Sequence, residues 1–220
     1  MFIVIFFGGI IMEKQRFIFD LDHTLMTANY GVEKEYFKSV LGNDCEQFTE
    51  LIPLLLNEYE MNHPRYEINE LSDYLTKRTG LNIDDNVIRG WIDSFGDCPS
   101  VIEEGVIDTL EYLKSKNYSL VVLTNWFLES QNRRLKNSGL RDYFDSIYAG
   151  DLVLKPREMA YQAAMDRYKP ASCVYIGDNL EKDYVGPRIC GIDSILYDKE
   201  DKHNSNIAKI KRMNEIKKLY

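Results

Sequence analysis

The 220-residue sequence predicts an α/β fold, a parallel β-sheet covered by helices and interrupted by a helical insertion. Three observations carry the prediction. Five short apolar runs are continuous rather than alternating, the pattern of strands buried on both faces. Helical periodicity fills the gaps between the later runs, which makes βαβ units and a parallel sheet. About 100 residues separate the first run from the second, and that stretch carries helical stripes only.

The strand runs are Phe17-Ile18-Phe19, Leu120-Val121-Val122-Leu123, Ser146-Ile147-Tyr148, Cys173-Val174-Tyr175-Ile176 and Ser194-Ile195-Leu196-Tyr197. Among the helices of this part, Val106, Leu110 and Leu113 share one face, with Asn117 as a left-handed stop. Leu128 and Leu135 mark a helix closed by Gly139, and Tyr161, Met165 and Tyr168 one that ends before Pro170. In the long gap, Tyr36 pairs with Val40 and Phe37 with Leu41 at helical spacing. Phe48, Ile52, Leu55 and Tyr59 follow, with Pro53 expected to kink or restart their helix. Ile68, Leu71, Leu75 and Arg78 lead to a stop at Gly80, and Ile88, Trp91, Ile92 and Phe95 form the last stripe. The insertion is thus expected from about Val32 to Phe95, its aromatic stripes forming its own core. The basic tail from Ile207 to Tyr220 reads as helix-prone, with Ile207 to Ile210 as an alternative short sixth strand.

The first eleven residues, MFIVIFFGGII, fall short of the roughly 20 apolar residues a spanning helix needs. They lack the basic flank and small-residue cleavage site of a secretory signal, and read as an extension dispensable to the fold. Cys45, Cys98, Cys173 and Cys190 show no CxxC spacing and are expected to be free thiols in a reducing cytoplasm. With 27 Lys+Arg against 35 Asp+Glu the charge is −8, which excludes the broad basic surface that nucleic acid requires. It does not exclude small anions, because a site can be locally cationic inside an acidic protein.

Open α/β sheets bind ligands beyond the carboxyl ends of their strands. Asp20-Leu21-Asp22-His23-Thr24 follow the first run and Thr124-Asn125 the second. Lys155-Pro156 come soon after the third, and Gly177-Asp178-Asn179 follow the fourth, with Asp183 five residues beyond Asp178. Singly these are ordinary turn and cap residues. In this order, each at a strand end, they converge on one edge.

These segments resemble the motifs of the haloacid dehalogenase-like hydrolases. FDLDHTL (Phe19 to Leu25) is similar to the family's DxDx[TV], and VVLTN (Val121 to Asn125) to its strand ending in Ser or Thr. Lys155-Pro156 resembles the third motif and GDNLEKD (Gly177 to Asp183) the GDxxxxD fourth. The match covers about Arg16 to Tyr197. It departs at His23, where Gly or Asn is commoner, and at Glu158, where many members have Pro. The resemblance implies a Rossmann-like three-layer core at 12–29 and 98–220 with a helical cap at 30–97. It also implies Asp20 as nucleophile, forming an aspartyl-phosphate, and Mg²⁺ held by the Asp20 carboxylate, the Asp22 backbone carbonyl and the Asp178 carboxylate. Asp183 would orient that group from behind. Asp22 would serve as general acid and base, and Leu21, Thr124, Asn125 and Lys155 would hold the phosphoryl group.

Phosphoryl transfer needs an in-line nucleophile, charge neutralisation and positioning. A carboxylate attacks without prior deprotonation, and Mg²⁺ prefers oxygen ligands. By the resemblance, Asp22 also favours phosphate over halide, since the dehalogenases proper lack that second Asp and use no Mg²⁺. The expected function is a Mg²⁺-dependent phosphatase acting on a small nucleotide or sugar phosphate. A sugar phosphomutase and a non-enzymatic phospho-ligand or protein-binding module are the alternatives. Trp126 either lines the substrate pocket or packs. His23 would line the mouth of the site, and Lys34, Lys38 and Arg65 either meet an anionic substrate or face solvent. His63 is expected in a loop and His203 at the surface.

Overall fold

The computed structural model describes residues 14–220, so the apolar segment 1–11 lies outside the described residues. Strand β1 (Arg16–Phe19) leads through β2 (Met26–Ala28) into helices α1 (Gly31–Leu41), α2 (Cys45–Asn62), α3 (Ile68–Thr79) and α4 (Asp85–Gly96). The chain returns through β3 (Ser100–Ile102) and then alternates: α5 (Val106–Ser115), β4 (Ser119–Leu123), α6 (Leu128–Asn137), β5 (Ser146–Tyr148), α7 (Glu158–Met165) and β6 (Cys173–Gly177). A π-helical turn over Leu180–Val185 runs into α8 (Gly186–Ile189), followed by β7 (Asp193–Tyr197) and β8 (Lys209–Ile210).

Six strands form one parallel sheet in the order β5-β4-β1-β6-β7-β8. The chain leaves β1 toward β4 on one side and later toward β6 on the other, a topological switch point at the sheet's centre. Phe19 pairs with Val122 of β4 and with Ile176 of β6, so the three strands end level. Asp20, Thr124 and Asp178 emerge from these ends.

Both faces of the sheet are buried, which is why the strand runs are continuously apolar. Phe17, Phe19, Val122 and Ile176 pack on one face with Val106, Leu110 and Leu113 of α5. Ile18, Val121, Leu123 and Tyr175 pack on the other with Ala160, Tyr161 and Ala164 of α7. Helices α1–α4 share a third core around Phe37, Phe48, Tyr59, Leu71 and Trp91, joined by Trp126 and Phe127 from the loop after β4.

Several local expectations change. Helix α2 runs unbroken through Pro53. The proline removes the N–H that would bond the Thr49 carbonyl, but its ring lies on the exposed side while Phe48, Ile52, Leu55 and Tyr59 anchor the buried side. Val40 is exposed and does not join the α1 core. Helix α7 stops at Met165, before Tyr168, because Asp166 turns left-handed at φ 54°. The antiparallel ribbon of β2 with β3 had no sequence signal, since three residues are too few to show a period. The tail forms β8 and then a 3₁₀ turn over Met213–Lys218, with Met213 and Ile216 buried, in place of an α-helix. All four cysteines are free. No helix of the described residues is long and apolar enough to cross a membrane.

Candidate active site

The edge formed by the ends of β4, β1 and β6 is organised around one buried ammonium. Lys155 Nζ lies 2.6 Å from Asp20 Oδ1, 2.7 Å from Asp183 Oδ1 and 3.0 Å from Tyr175 Oη. Burial alone would lower the lysine pKa, but Asp183 and Asp20 outweigh it and hold the ammonium charged. Asp183 is fixed from its other side as well, its Oδ2 accepting 3.0 Å from the Asn179 N–H. Gly177 makes this approach possible, because a Cβ there would fall 2.5 Å from Asp183 Cβ and Cγ. Tyr175, rising from the sheet core, is read from the sequence only as a strand residue and not as a site residue, because it sits inside an apolar run.

Asp20, Asp178 and Asp183 each bring a carboxylate oxygen, all three within 4.8 Å of one another. Burial, with Asp183 adding to it, pushes the Asp20 and Asp178 carboxyls above the ordinary range. Three hard oxygen donors in a partly dehydrated cluster fit a divalent cation such as Mg²⁺. Both oxygens of Asp183 are already hydrogen-bonded. Asp178 is half-buried and accepts a long 3.4 Å bond from Thr24 Oγ1.

The structure differs most from the sequence reading in the surroundings of Asp22. Its carboxylate meets helix α6: Oδ1 lies 2.6 Å from Arg134 Nη1, an ion pair without hydrogen-bond alignment. Oδ2 accepts from Gln131 Nε2 at 2.9 Å. The same Gln131 nitrogen lies 3.2 Å from Thr124 Oγ1 and 3.1 Å from the Asn125 carbonyl. Arg134 in turn donates 2.8 Å to Gln131 Oε1, and its guanidinium rests 4.5 Å from the centre of the Phe95 ring. Both residues are fully buried and were missed. The sequence marks this helix by Leu128 and Leu135, but Leu128 is exposed and the buried face is Ser130, Gln131, Arg134 and Leu135. Gln131, one turn before Leu135, is a polar residue on that face and needs a buried partner.

The remaining candidates divide between site and support. Thr124 is buried at the strand end, its hydroxyl donating 3.0 Å to the Asn125 carbonyl. Asn125 Oδ1 accepts from the Lys155 N–H at 3.0 Å, so its side chain ties down the lysine's backbone. The Leu21 side chain is wholly buried in the sheet core, leaving only its backbone at the edge.

Above this edge lies a cavity of about 880 Å³, walled by the sheet edge below and by α1, α2 and α4 opposite. Lys34 and His23 line it, whereas Lys38 does not and Arg65 pairs with Glu67 outside it. Trp126 both lines the cavity and packs against Trp91. His63 stacks on Tyr59 at 3.8 Å. His203 is half-buried rather than superficial, its N–H donating to the buried Asp198. Helix α2 is bound to the site loops by Lys182, whose Nζ lies 2.5 Å from Glu60 Oε2, and by Arg157, which donates 2.7 Å to the Glu60 carbonyl.

A central switch point with carboxylates on neighbouring strand ends and a lysine between them marks this edge as the ligand-binding edge of an open α/β sheet. Residues 17–197 match the model of the haloacid dehalogenase-like hydrolases, and the chain belongs to that family. It is 24% identical over 194 residues to a glyceraldehyde 3-phosphate phosphatase of Methanopyrus kandleri, covering 81% of each chain. It is 29% identical over 109 residues to a pyrimidine 5′-nucleotidase of Streptococcus pneumoniae, a match over 47% of this chain and 46% of that one. In fold it resembles the putative HAD-hydrolase YfnB of Bacillus subtilis bound to magnesium, with a TM-score of 0.68, 19% identity, and coverage of 94% of this chain and 99% of that one.

Proposed function

We propose that this enzyme is a Mg²⁺-dependent phosphomonoesterase that hydrolyses a small phosphorylated metabolite through an aspartyl-phosphate on Asp20. The observation that carries the reading is the Lys155 ammonium, shared between Asp20 and Asp183, with Asp22 on the same edge. Relatives named as phosphatases support it. Asp22 supports phosphate over halide, by the family pattern given above.

The carboxylates of Asp20 and Asp178 and the backbone carbonyl of Asp22 would hold Mg²⁺, with Asp183 behind them. Bound there, the ion supplies positive charge beside the phosphoryl oxygens. Asp20 attacks phosphorus in line, and the bond to the ester oxygen breaks. Protonated Asp22 gives its proton to the departing alkoxide. Water then attacks the aspartyl-phosphate, Asp22 takes a proton from it, and phosphate leaves with Asp20 restored. Lys155, Thr124 and backbone N–H groups at Leu21 and Asn125 hold the phosphoryl oxygens. Gln131 and Arg134 keep the Asp22 carboxylate facing the cavity. In this reading residues 30–97 are a cap over a core of 12–29 and 98–220, and the β2–β3 ribbon joins the two. The four free thiols support a cytoplasmic setting.

The test is phosphate release from a broad panel of phosphate esters, with and without Mg²⁺, for the wild type and for Asp20→Asn and Asp22→Asn. Release by the wild type that needs Mg²⁺ and is lost in Asp20→Asn is the expected result. A wild type that releases nothing, or an Asp20→Asn variant as fast as wild type, removes the mechanism.

A further inference from the structure

One acidic side chain on the cavity wall takes no part in the phosphoryl chemistry. Glu33 lies in the first turn of α1 and is half-buried. With Tyr30 and Lys34, at i, i+3 and i+4 spacing, it forms the face of that helix that lines the cavity. Its Oε1 accepts the indole N–H of Trp91. Trp91 is only 1% exposed, and Phe37 and Phe48 meet its ring edge-on at 5.0 and 6.5 Å. A buried indole N–H needs an acceptor, and a ring so enclosed cannot turn to follow one. The indole therefore fixes the carboxylate in place.

The second oxygen is open. Among the described residues Glu33 Oε2 accepts no hydrogen bond, and Glu33 forms no ion pair. Nor does that oxygen belong to the sealed side-chain atoms left without a partner, so it faces the space that the residue lines. Glu60, the other glutamate on the wall, is fully engaged: Oε1 accepts from Tyr66 at 2.6 Å and Oε2 from Lys182 at 2.5 Å. Burial pushes the Glu33 carboxyl upward, while the Trp91 bond and the Arg134 charge pull it back. Arg134 is itself already paired with Asp22. A partly dehydrated carboxylate with one fixed and one open oxygen is a seat for a hydrogen-bond donor, above all a cationic one.

The charges of Arg134 and Asp22 both reach Glu33, which sets it on the Asp22 side of the cavity. In the phosphatase reading Asp22 faces the ester oxygen that departs, so the alcohol extends past Asp22 toward α1. We propose that Glu33 selects the leaving group: the substrate is a phosphate monoester whose alcohol carries a hydrogen-bond donor, an ammonium or a hydroxyl, received by Glu33 Oε2. An alcohol with a second anion is rejected, because like charges repel strongly where water is scarce. The phosphate end of this placement rests on the phosphatase reading; the other end rests on Glu33 alone.

Glu33→Gln tests the choice with the fold kept. The Trp91 N–H still needs an acceptor, so the amide oxygen takes it and the amide NH₂ fills the open position. An acceptor facing the substrate becomes a donor. In the wild type with Mg²⁺, kcat/KM for ethanolamine phosphate, glycerol 3-phosphate or both should exceed that for ethyl phosphate at least tenfold, with 3-phosphoglycerate lowest. The first two esters tell an ammonium from a hydroxyl. In Glu33→Gln the advantage over ethyl phosphate should fall below threefold, and 3-phosphoglycerate should gain at least tenfold relative to ethyl phosphate. A glutamate that serves only to satisfy the Trp91 N–H would leave these ratios as they are. Ethyl phosphate turned over as well as both donor-bearing esters, or the same ratios in Glu33→Gln as in the wild type, overturns the proposal and leaves the phosphatase reading standing. Where the wild type hydrolyses none of the four, titration calorimetry with Mg²⁺ separates the two readings. Tighter binding of a donor-bearing ester than of ethyl phosphate, lost in Glu33→Gln, upholds the Glu33 site and overturns the phosphatase reading; equal binding overturns both.

Discussion

At the scale of single residues, the site depends on side chains with more than one obligation. Lys155 neutralises Asp20 and Asp183 at once and is buried with both. Lys155→Met should therefore lower kcat by roughly 10²–10³ for the loss of an electrostatic stabiliser. It should also cost about 3–5 kcal/mol of stability, because two buried carboxylates lose their counter-charge. Steady-state kinetics and thermal denaturation check the two halves separately. Gln131 has a different kind of duty, with one amide nitrogen reaching Asp22, Thr124 and Asn125. Gln131→Met should lower kcat roughly 10²-fold through misplacement of Asp22, with KM changed far less. An equal loss in kcat and kcat/KM across all substrates is the expected pattern, and a pure KM effect would show that Gln131 only shapes the pocket. The strand-end residues Asp20, Asp22, Thr124 and Asp178 were legible in the sequence because polar residues stand out after an apolar run. Gln131, Arg134 and Tyr175 were not, because each lies within an element whose apolar neighbours explain its placement well enough.

At the scale of elements, legibility followed length and burial. The first five strands of the sheet could be read because two buried faces leave an unbroken apolar run. The β2–β3 ribbon is too short for any period, and the terminal 3₁₀ turn shares the apolar spacing of an α-helix. Pro53 shows a local rule overridden by packing. Phe48, Ile52, Leu55 and Tyr59, buried along one side of α2, hold a helix together across a residue that removes one of its hydrogen bonds. Restoring that bond gives a stability prediction independent of catalysis. Pro53→Ala should raise stability by about 1–3 kcal/mol, since proline costs about 3 kcal/mol against alanine in a helix interior. Thermal or urea unfolding measures it, and a variant less stable than wild type would mean that the ring's contacts at the cavity rim outweigh the missing bond.

At the scale of the whole molecule, the surplus of acid gains a location. Asp20, Asp22, Asp178 and Asp183 meet Lys155 and Arg134 at the candidate site, leaving a formal −2 among these six groups. A phosphate dianion entering such a site is repelled, and a bound dication brings the sum to zero. The chain's charge of −8 is thus compatible with one small anion at this edge once a dication is bound there. Two linked outcomes follow. Mg²⁺ should stabilise the folded protein by mass action, by about 2.7 kcal/mol at a concentration 100 times its Kd, and excess chelator should reverse the gain. Inorganic phosphate should bind measurably by titration calorimetry only when Mg²⁺ is present. Asp178→Asn, which removes one of the charges that collect the ion, should weaken both effects together. Phosphate binding at full strength in chelator would mean that Lys155 and the backbone N–H groups alone overcome the four carboxylates, and the metal would then have no part in holding the anion.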